Sequence, residues 1–193
     1  PASNFREEAV QSVTPDILMQ PHPDGGWYLE LNQETLPRVL VNTEYYAHIS
    51  KGVRGKEEKD YVNERFQTAN WLVKSLHQRA TTILKVASEI VKQQDAFFRL
   101  GVEHLKPLIL RDIAEAIEMH ESTVSRVTTN KFMSTPRGLY ELKYFFTSAI
   151  QSATGGDAHS AEAVRFRIKA LIEEESPKSV LSDDKIVDIL KQD

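Results

Sequence analysis

The stretch Leu110–Val127, LRDIAEAIEMHESTVSRV, carries two short apolar periodicities separated by a turn. Ile113, Ala114 and Ile117 share one face of a first helix, and the small Ala114 leaves room for a second helix to approach. Met119 anchors the turn, and Val124 and Val127 pack the second helix back onto the first. Glu121, Ser122, Thr123, Ser125 and Arg126 are then left pointing outward near the start of the second helix, the arrangement of a helix-turn-helix with its recognition helix. Ser, Thr and Glu can meet base edges or phosphates, a helix N-terminus favours phosphate, and Arg126 can take guanine bidentately. The same residues also fit a plain helical hairpin, with Ser122 a cap and Arg126 a solvated charge. Glu118 stands where many such motifs carry Gly.

Charge gives this region a direction. The 24 basic and 28 acidic residues leave the whole chain at -4, so bulk electrostatics does not steer it to nucleic acid. From Ser122 to Lys143, however, Arg126, Lys131, Arg137 and Lys143 face only Glu141, a local +3.

Upstream, the apolar positions Val62, Phe66, Ala69, Val73, Leu76, Ala80, Ile83, Ala87, Ile90 and Phe97 step by threes and fours, broken at Gln94. With no Pro or Gly between Tyr61 and Arg99, the spacing predicts one very long helix over residues 61–101, stopped by Gly101. Leu72, Leu84, Val91 and Phe98 form a second stripe that calls for packed neighbours. Before it, Ile17-Leu18-Met19 and Trp27-Tyr28-Leu29 flank Pro23-Asp24-Gly25-Gly26, the pattern of a β-hairpin. Leu36 to Asn42 is expected to add a third extended piece, and Ser50 to Lys59 a solvated loop. Residues 103–150 read as a compact all-helical block, and Ser152 to Asp157 as a linker. Ser160 caps a helix that Ser176-Pro177 ends, and a last amphipathic helix follows Ser182-Asp183-Asp184. The chain is thus expected to be mainly α, with a small N-terminal β-hairpin region, one very long helix, a helix-turn-helix domain and a truncated C-terminal helical segment. The expected divisions are 1–60, 61–101, 102–151, a linker at 152–159, and 160–193. With neither an initiator Met nor a closing tail, it reads as a piece of something longer.

Several function classes find no support. Cys is absent, which removes disulfides and thiolate sites. His22, His48, His77, His104, His120 and His159 show no metal-ligand spacing, and neither a glycine-rich phosphate loop nor a nucleophile elbow occurs. We expect no enzymatic activity, no cofactor and no metal. No run approaches the roughly 18 apolar residues of a bilayer span, and the start lacks a signal core, so a cytoplasmic protein without membrane contact is expected.

The longer run at residues 105–146, LKPLILRDIAEAIEMHESTVSRVTTNKFMSTPRGLYELKYFF, closely resembles the sigma-54 family of bacterial RNA polymerase sigma factors. The likeness continues through residues 70–98, NWLVKSLHQRATTILKVASEIVKQQDAFF, and through VTPDIL, GGWYLELN and KALIEEESPKSVLSDDKIVDIL. It implies that residues 1–60 are the latter part of a core-binding region and 61–101 the extended helix bracing the promoter-proximal element. Residues 110–128 would approach the minus-12 element, with Glu121, Ser122, Thr123, Ser125 and Arg126 facing DNA and Lys131 and Arg137 holding phosphate rather than reading sequence. Arg79, in SLHQR, falls where the family's regulatory region meets that element; a solvated helix charge is the equal alternative. The implied partners are promoter DNA, core RNA polymerase and an AAA+ enhancer-binding activator, which is the component that uses ATP. The family's activator-responsive N-terminus, the earlier half of its core-binding region and the RpoN box that reads minus-24 are not in the sequence, and Phe132 replaces an expected Tyr.

Two rival readings stay open on the residues alone. A generic helix-turn-helix repressor would dimerise on a palindrome. A coiled-coil interaction protein would use the long helix and touch no DNA, although Trp71, Phe98 and the second stripe favour globular packing.

Overall fold

A computed structural model describes residues 13–35, 39–53, 55–147, 149–150, 159–175 and 181–190. Strands β1 (Ile17–Pro21) and β2 (Trp27–Leu31) pair antiparallel from Ile17 opposite Leu31 to Pro21 opposite Trp27. Ile17 and Met19 are buried, which gives β1 its inward face. The hairpin turn closes with the His22 N–H donating to Gly26 O at 2.8 Å, and Gly25 takes a φ of 88° that only glycine adopts without strain.

The stretch after the hairpin departs from expectation. Residues 36–38 lie outside the described residues, and Val39 to Asn42 form no strand. Instead the Asn42 side chain accepts the Tyr45 N–H at 2.8 Å and starts helix α1 (Thr43–Gly52). The expected loop at 50–59 shrinks to the few residues around Val53 and Gly55, because helix α2 already begins at Lys56. Glu57 and Glu58 in its first turn suit a helix N-terminus, so the charges that suggested a loop help to open a helix.

Helix α2 runs from Lys56 to Gln93, 38 residues, on the order of 57 Å at 1.5 Å per residue. It begins five residues before the expected start. Its buried residues, Thr82, Ile83, Val86, Ala87, Ile90 and Val91, all lie in its second half. The first half is braced by α1, where Tyr46 stacks on Phe66 with ring centroids 3.8 Å apart. The single helix expected to reach Gly101 is two: Gln94, the position that breaks the apolar stepping, ends α2, and the short helix α3 (Asp95–Leu100) continues to Gly101. Gln94 is 0% exposed, and its amide is paired on both edges: Nε2 donates to Lys106 O at 2.8 Å and Oε1 accepts the Lys106 N–H at 3.0 Å. The helix bends where a buried amide is satisfied by the segment leading onward.

After a 3-10 turn at Val102–His104 come α4 (Leu110–Ala116) and α5 (Glu121–Thr128). The block at 103–150 is not all-helical, and this corrects the sequence reading. Strands β3 (Phe132–Thr135) and β4 (Gly138–Glu141) form a second hairpin, with Met133 and Thr135 buried between half-buried Phe132 and Ser134. β3 lies parallel to β1, with Ile17 opposite Met133, giving one four-stranded sheet in the order β2-β1-β3-β4. One apolar cluster fuses the layers: Ile17, Met19 and Met133 from the sheet, Val86 and Ile90 from α2, Phe97 and Phe98 from α3, Ile113, Ala114 and Val124 from α4 and α5, and Leu142 and Phe145 after β4.

A two-stranded ribbon, β5 (Ala149–Ile150) and β6 (His159–Ser160), leads to α6 (Ala161–Glu173), whose Ser160 cap accepts the Ala163 N–H at 3.1 Å. α6 packs beside the Val102–His104 turn. The expected linker at 152–157 and the stop at Ser176-Pro177 lie outside the described residues. α7 (Asp183–Leu190) buries none of its side chains among the described residues. No helix of the described residues is long and apolar enough to cross a membrane.

Candidate nucleic-acid interface

The α4–α5 pair is built from both ends. At its start the Asp112 carboxylate accepts the Ile109 N–H at 3.0 Å, satisfying a donor that the helix itself leaves free. Ile113 and Ala114 are buried. The Met119 N–H returns to Ala114 O at 2.9 Å, and the residue between the helices that must take a left-handed backbone is Glu118, at φ 56°. The apparent departure at Glu118 is therefore a real strain point: a β-carbon sits where glycine costs nothing.

Helix α5 rests on Val124, 0% exposed, and on Thr128, whose hydroxyl donates to Val124 O at 2.9 Å. The packing pair was expected to be Val124 and Val127; Val127 is only half-buried, and Thr128 takes the inner position. On the other face Glu121, Ser122 and Arg126 are exposed, and Thr123 and Ser125 are half-buried. All five lie on one short helix, and the exposed three form its outer edge. His120, the residue before α5, is exposed and makes no side-chain cap, so the first N–H groups of α5 are not closed by it. Arg111 on α4 is also exposed, paired with Glu115 at 3.8 Å.

The other predicted residues lie apart from this face or are already engaged. The Lys131 Nζ sits 2.8 Å from Asp16 Oδ1, with side-chain exposures of 25% and 15%. The Arg137 Nε donates to Phe98 O at 2.8 Å and its Nη2 to Arg99 O, closing the C-terminus of α3. The expectation that both are free phosphate holders thus meets two side chains bound to their own protein. Arg79 is exposed on α2, in the turn before the buried half begins.

Sequence reasoning missed Asp16 and Glu141. Asp16 accepts the Phe132 N–H at 3.0 Å as well as Lys131, and Glu141 accepts the Asn130 N–H at 2.8 Å. Both grip the residues just after α5. The partners of Asp16 lie more than a hundred residues away, beyond any local pattern, and Glu141 reaches Asn130 only across the unforeseen β3–β4 hairpin. On α3, Asp95 accepts Arg99 Nε at 2.7 Å and Trp27 Nε1 at 2.8 Å. Its carboxyl is held below the usual range, by Arg99 first and Trp27 second. The Tyr144 hydroxyl is pushed up by burial, with Glu162 and Tyr140 adding to the shift. No cluster with metal-ligand geometry occurs among the described residues.

The family model described as "Sigma-54, DNA binding domain" matches residues 59–193, and "Sigma-54 factor, core binding domain" matches residues 1–45. The RNA polymerase sigma-54 factor 1 of Bradyrhizobium diazoefficiens is 61% identical over 191 residues, covering 99% of this chain and 40% of that protein. The RNA polymerase sigma-54 factor of Caulobacter vibrioides is 57% identical over 192 residues, covering 99% and 39%. The chain therefore spans about 40% of the length of these relatives. Among solved structures, the Aquifex aeolicus sigmaN bound to promoter DNA matches with a TM-score of 0.61 at 26% identity, covering 97% of this chain and 55% of the other.

Proposed function

The chain belongs to the sigma-54 family, and from that membership we propose that it is the promoter-reading portion of a non-enzymatic, cytoplasmic sigma factor that binds core RNA polymerase. In this reading α4 and α5 are a helix-turn-helix, and α5 enters the major groove of the minus-12 element. Arg126 takes a guanine edge, and Ser122, Thr123, Ser125 and Glu121 supply shorter hydrogen bonds to bases and phosphates. The observation that carries this is the asymmetry of α5: an outer edge of Glu121, Ser122 and Arg126 over the buried Val124 and Thr128.

Residues 1–60 are the core-polymerase side, α2 and α3 the strut, 102–151 the minus-12 reader, 152–159 the linker, and 160–193 the opening of the domain that reads minus-24 in the whole protein. An AAA+ activator is the ATP-using partner of that whole protein, and Arg79 is the position where regulation reaches the strut. Arg137, held by the uncharged α3 carbonyls, keeps its positive charge, whereas Asp16 neutralises Lys131, so neither is a free phosphate holder as the sequence suggested.

Fluorescence anisotropy on a promoter duplex and a scrambled duplex, over a salt series, tests the reading. Expected are tighter binding to the promoter and an affinity that falls steeply with salt. A coiled-coil scaffold would bind neither duplex, and a generic repressor would require a palindrome.

A further inference from the structure

We infer that Asp16 is a positioning residue for the DNA-reading helix, through which the core-binding part of the chain sets the pose of α5. The inference rests on the proposed reading of α5 as the minus-12 recognition helix. Three consecutive residues after α5 are gripped from two sides. Asn130, in a left-handed backbone at φ 53°, gives its N–H to the Glu141 carboxylate at 2.8 Å. Lys131 gives its ammonium to Asp16 at 2.8 Å, and its carbonyl accepts the Leu142 N–H at 2.8 Å. Phe132 gives its N–H to the other Asp16 oxygen at 3.0 Å, and its carbonyl accepts the Asp16 N–H at 2.8 Å.

Asp16 thus meets this segment three times, with one backbone and two side-chain bonds. It is itself fixed from behind, because the Asn32 N–H donates to Asp16 O at 2.8 Å. The carboxylate is 15% exposed, so water competes weakly for these bonds. Asp16 also opens the parallel pairing of β1 with β3, the one strand pairing that joins the two hairpins. Residue 16 lies in the stretch matched as core binding (1–45), and residues 130–132 lie in the stretch matched as DNA binding (59–193). The exit of α5 is therefore held by a different functional part of the chain. A recognition helix makes bidentate bonds that fail when its pose shifts by about an ångström, so a clamp on its exit acts on discrimination more than on charge-driven attraction. By linkage, whatever binds the β1–β2 hairpin and whatever binds α5 influence each other equally through this seam.

The test uses the full-length protein assembled with core polymerase, and measures affinity for duplexes with an intact and a substituted minus-12 element. In Asp16→Ala the ratio of the two affinities is expected to fall roughly 5- to 50-fold while binding to the substituted duplex does not weaken, because the substitution removes no cation and frees Lys131 from its carboxylate. Asp16→Asn, which keeps an oxygen for the Phe132 N–H and perturbs folding least, should lose less of the ratio but still fall below the parent. Amide exchange at Asn130 to Phe132 should quicken in Asp16→Ala. A parent-like ratio in both variants, or equal loss on both duplexes, overturns the inference. A parent protein that shows no preference overturns the minus-12 reading itself, and the inference with it.

Discussion

Replacing Gln94 by Ala removes the amide that sits at the break between α2 and α3. Gln94 is 0% exposed and makes two bonds to the backbone of Lys106, at 2.8 and 3.0 Å. Each neutral hydrogen bond of this kind is worth about 1 kcal/mol net, and the lost methylene adds about 0.8 kcal/mol of burial. Lys106 is exposed as a residue, so water can reach its freed N–H and carbonyl in part, which keeps the penalty away from the upper end for orphaned buried groups. The gain in helix propensity from Ala offsets only about 0.3 kcal/mol. A destabilisation of about 2 to 3 kcal/mol is expected, read as a lower urea midpoint at unchanged slope, followed by far-UV circular dichroism. Gln93→Ala, one residue earlier and half-buried with a bond to Glu89 at 2.9 Å, is the control and should cost about 0.5 kcal/mol or less. If Gln94→Ala cost no more than this control, the amide would not be what joins α2 to the segment entering α4.

Glu118→Gly relieves a non-glycine side chain at φ 56° and should raise stability by about 0.5 to 1 kcal/mol, the left-handed penalty less the added freedom of the unfolded chain; thermal unfolding reads it, and a fall in Tm would refute the strain. The Asp95 carboxyl, depressed by Arg99 and then Trp27, stabilises the fold fully above the ordinary carboxyl pKa of about 4 and loses that contribution as pH drops through the lower folded value. Tm measured against pH should therefore show Asp95→Asn below the parent near neutrality and converging with it under strongly acid conditions. Lys131→Met removes the partner of Asp16 without touching the outer edge of α5, so it should lower Tm more than Arg79→Met, whose side chain is exposed on α2.

What could be read from the residues was local. Pro23 to Gly26 between two apolar triplets gave away the first hairpin, and Ser160 its helix; the failed apolar step at Gln94 was visible, but the absence of Pro and Gly led the reading on to Gly101, past the point where α2 ends. The outward and inward residues of α5 also follow from spacing, apart from the exchange of Val127 for Thr128, where a hydroxyl satisfied by its own helix makes a polar residue fit for burial. The second hairpin was hidden because β3 buries only Met133 and Thr135 and depends on a neighbour, β1, more than a hundred residues earlier. Lys131 and Arg137 look like free cations in any local window; Asp16, Phe98 and Arg99 claim them only once the chain is folded. α1 was masked by a charged, glycine-bearing stretch that is in fact two helix ends meeting.

In the proposed function the outer edge of α5 reads bases. Gel-shift titration of Arg126→Ala against duplexes with intact and substituted minus-12 elements tests it most directly. Loss of a bidentate guanine contact of about 1 to 3 kcal/mol predicts that preference for the intact duplex drops roughly 5- to 150-fold, with little change on the substituted one. An equal loss on both duplexes would reduce Arg126 to a phosphate contact, and unchanged binding to both would take α5 out of the groove.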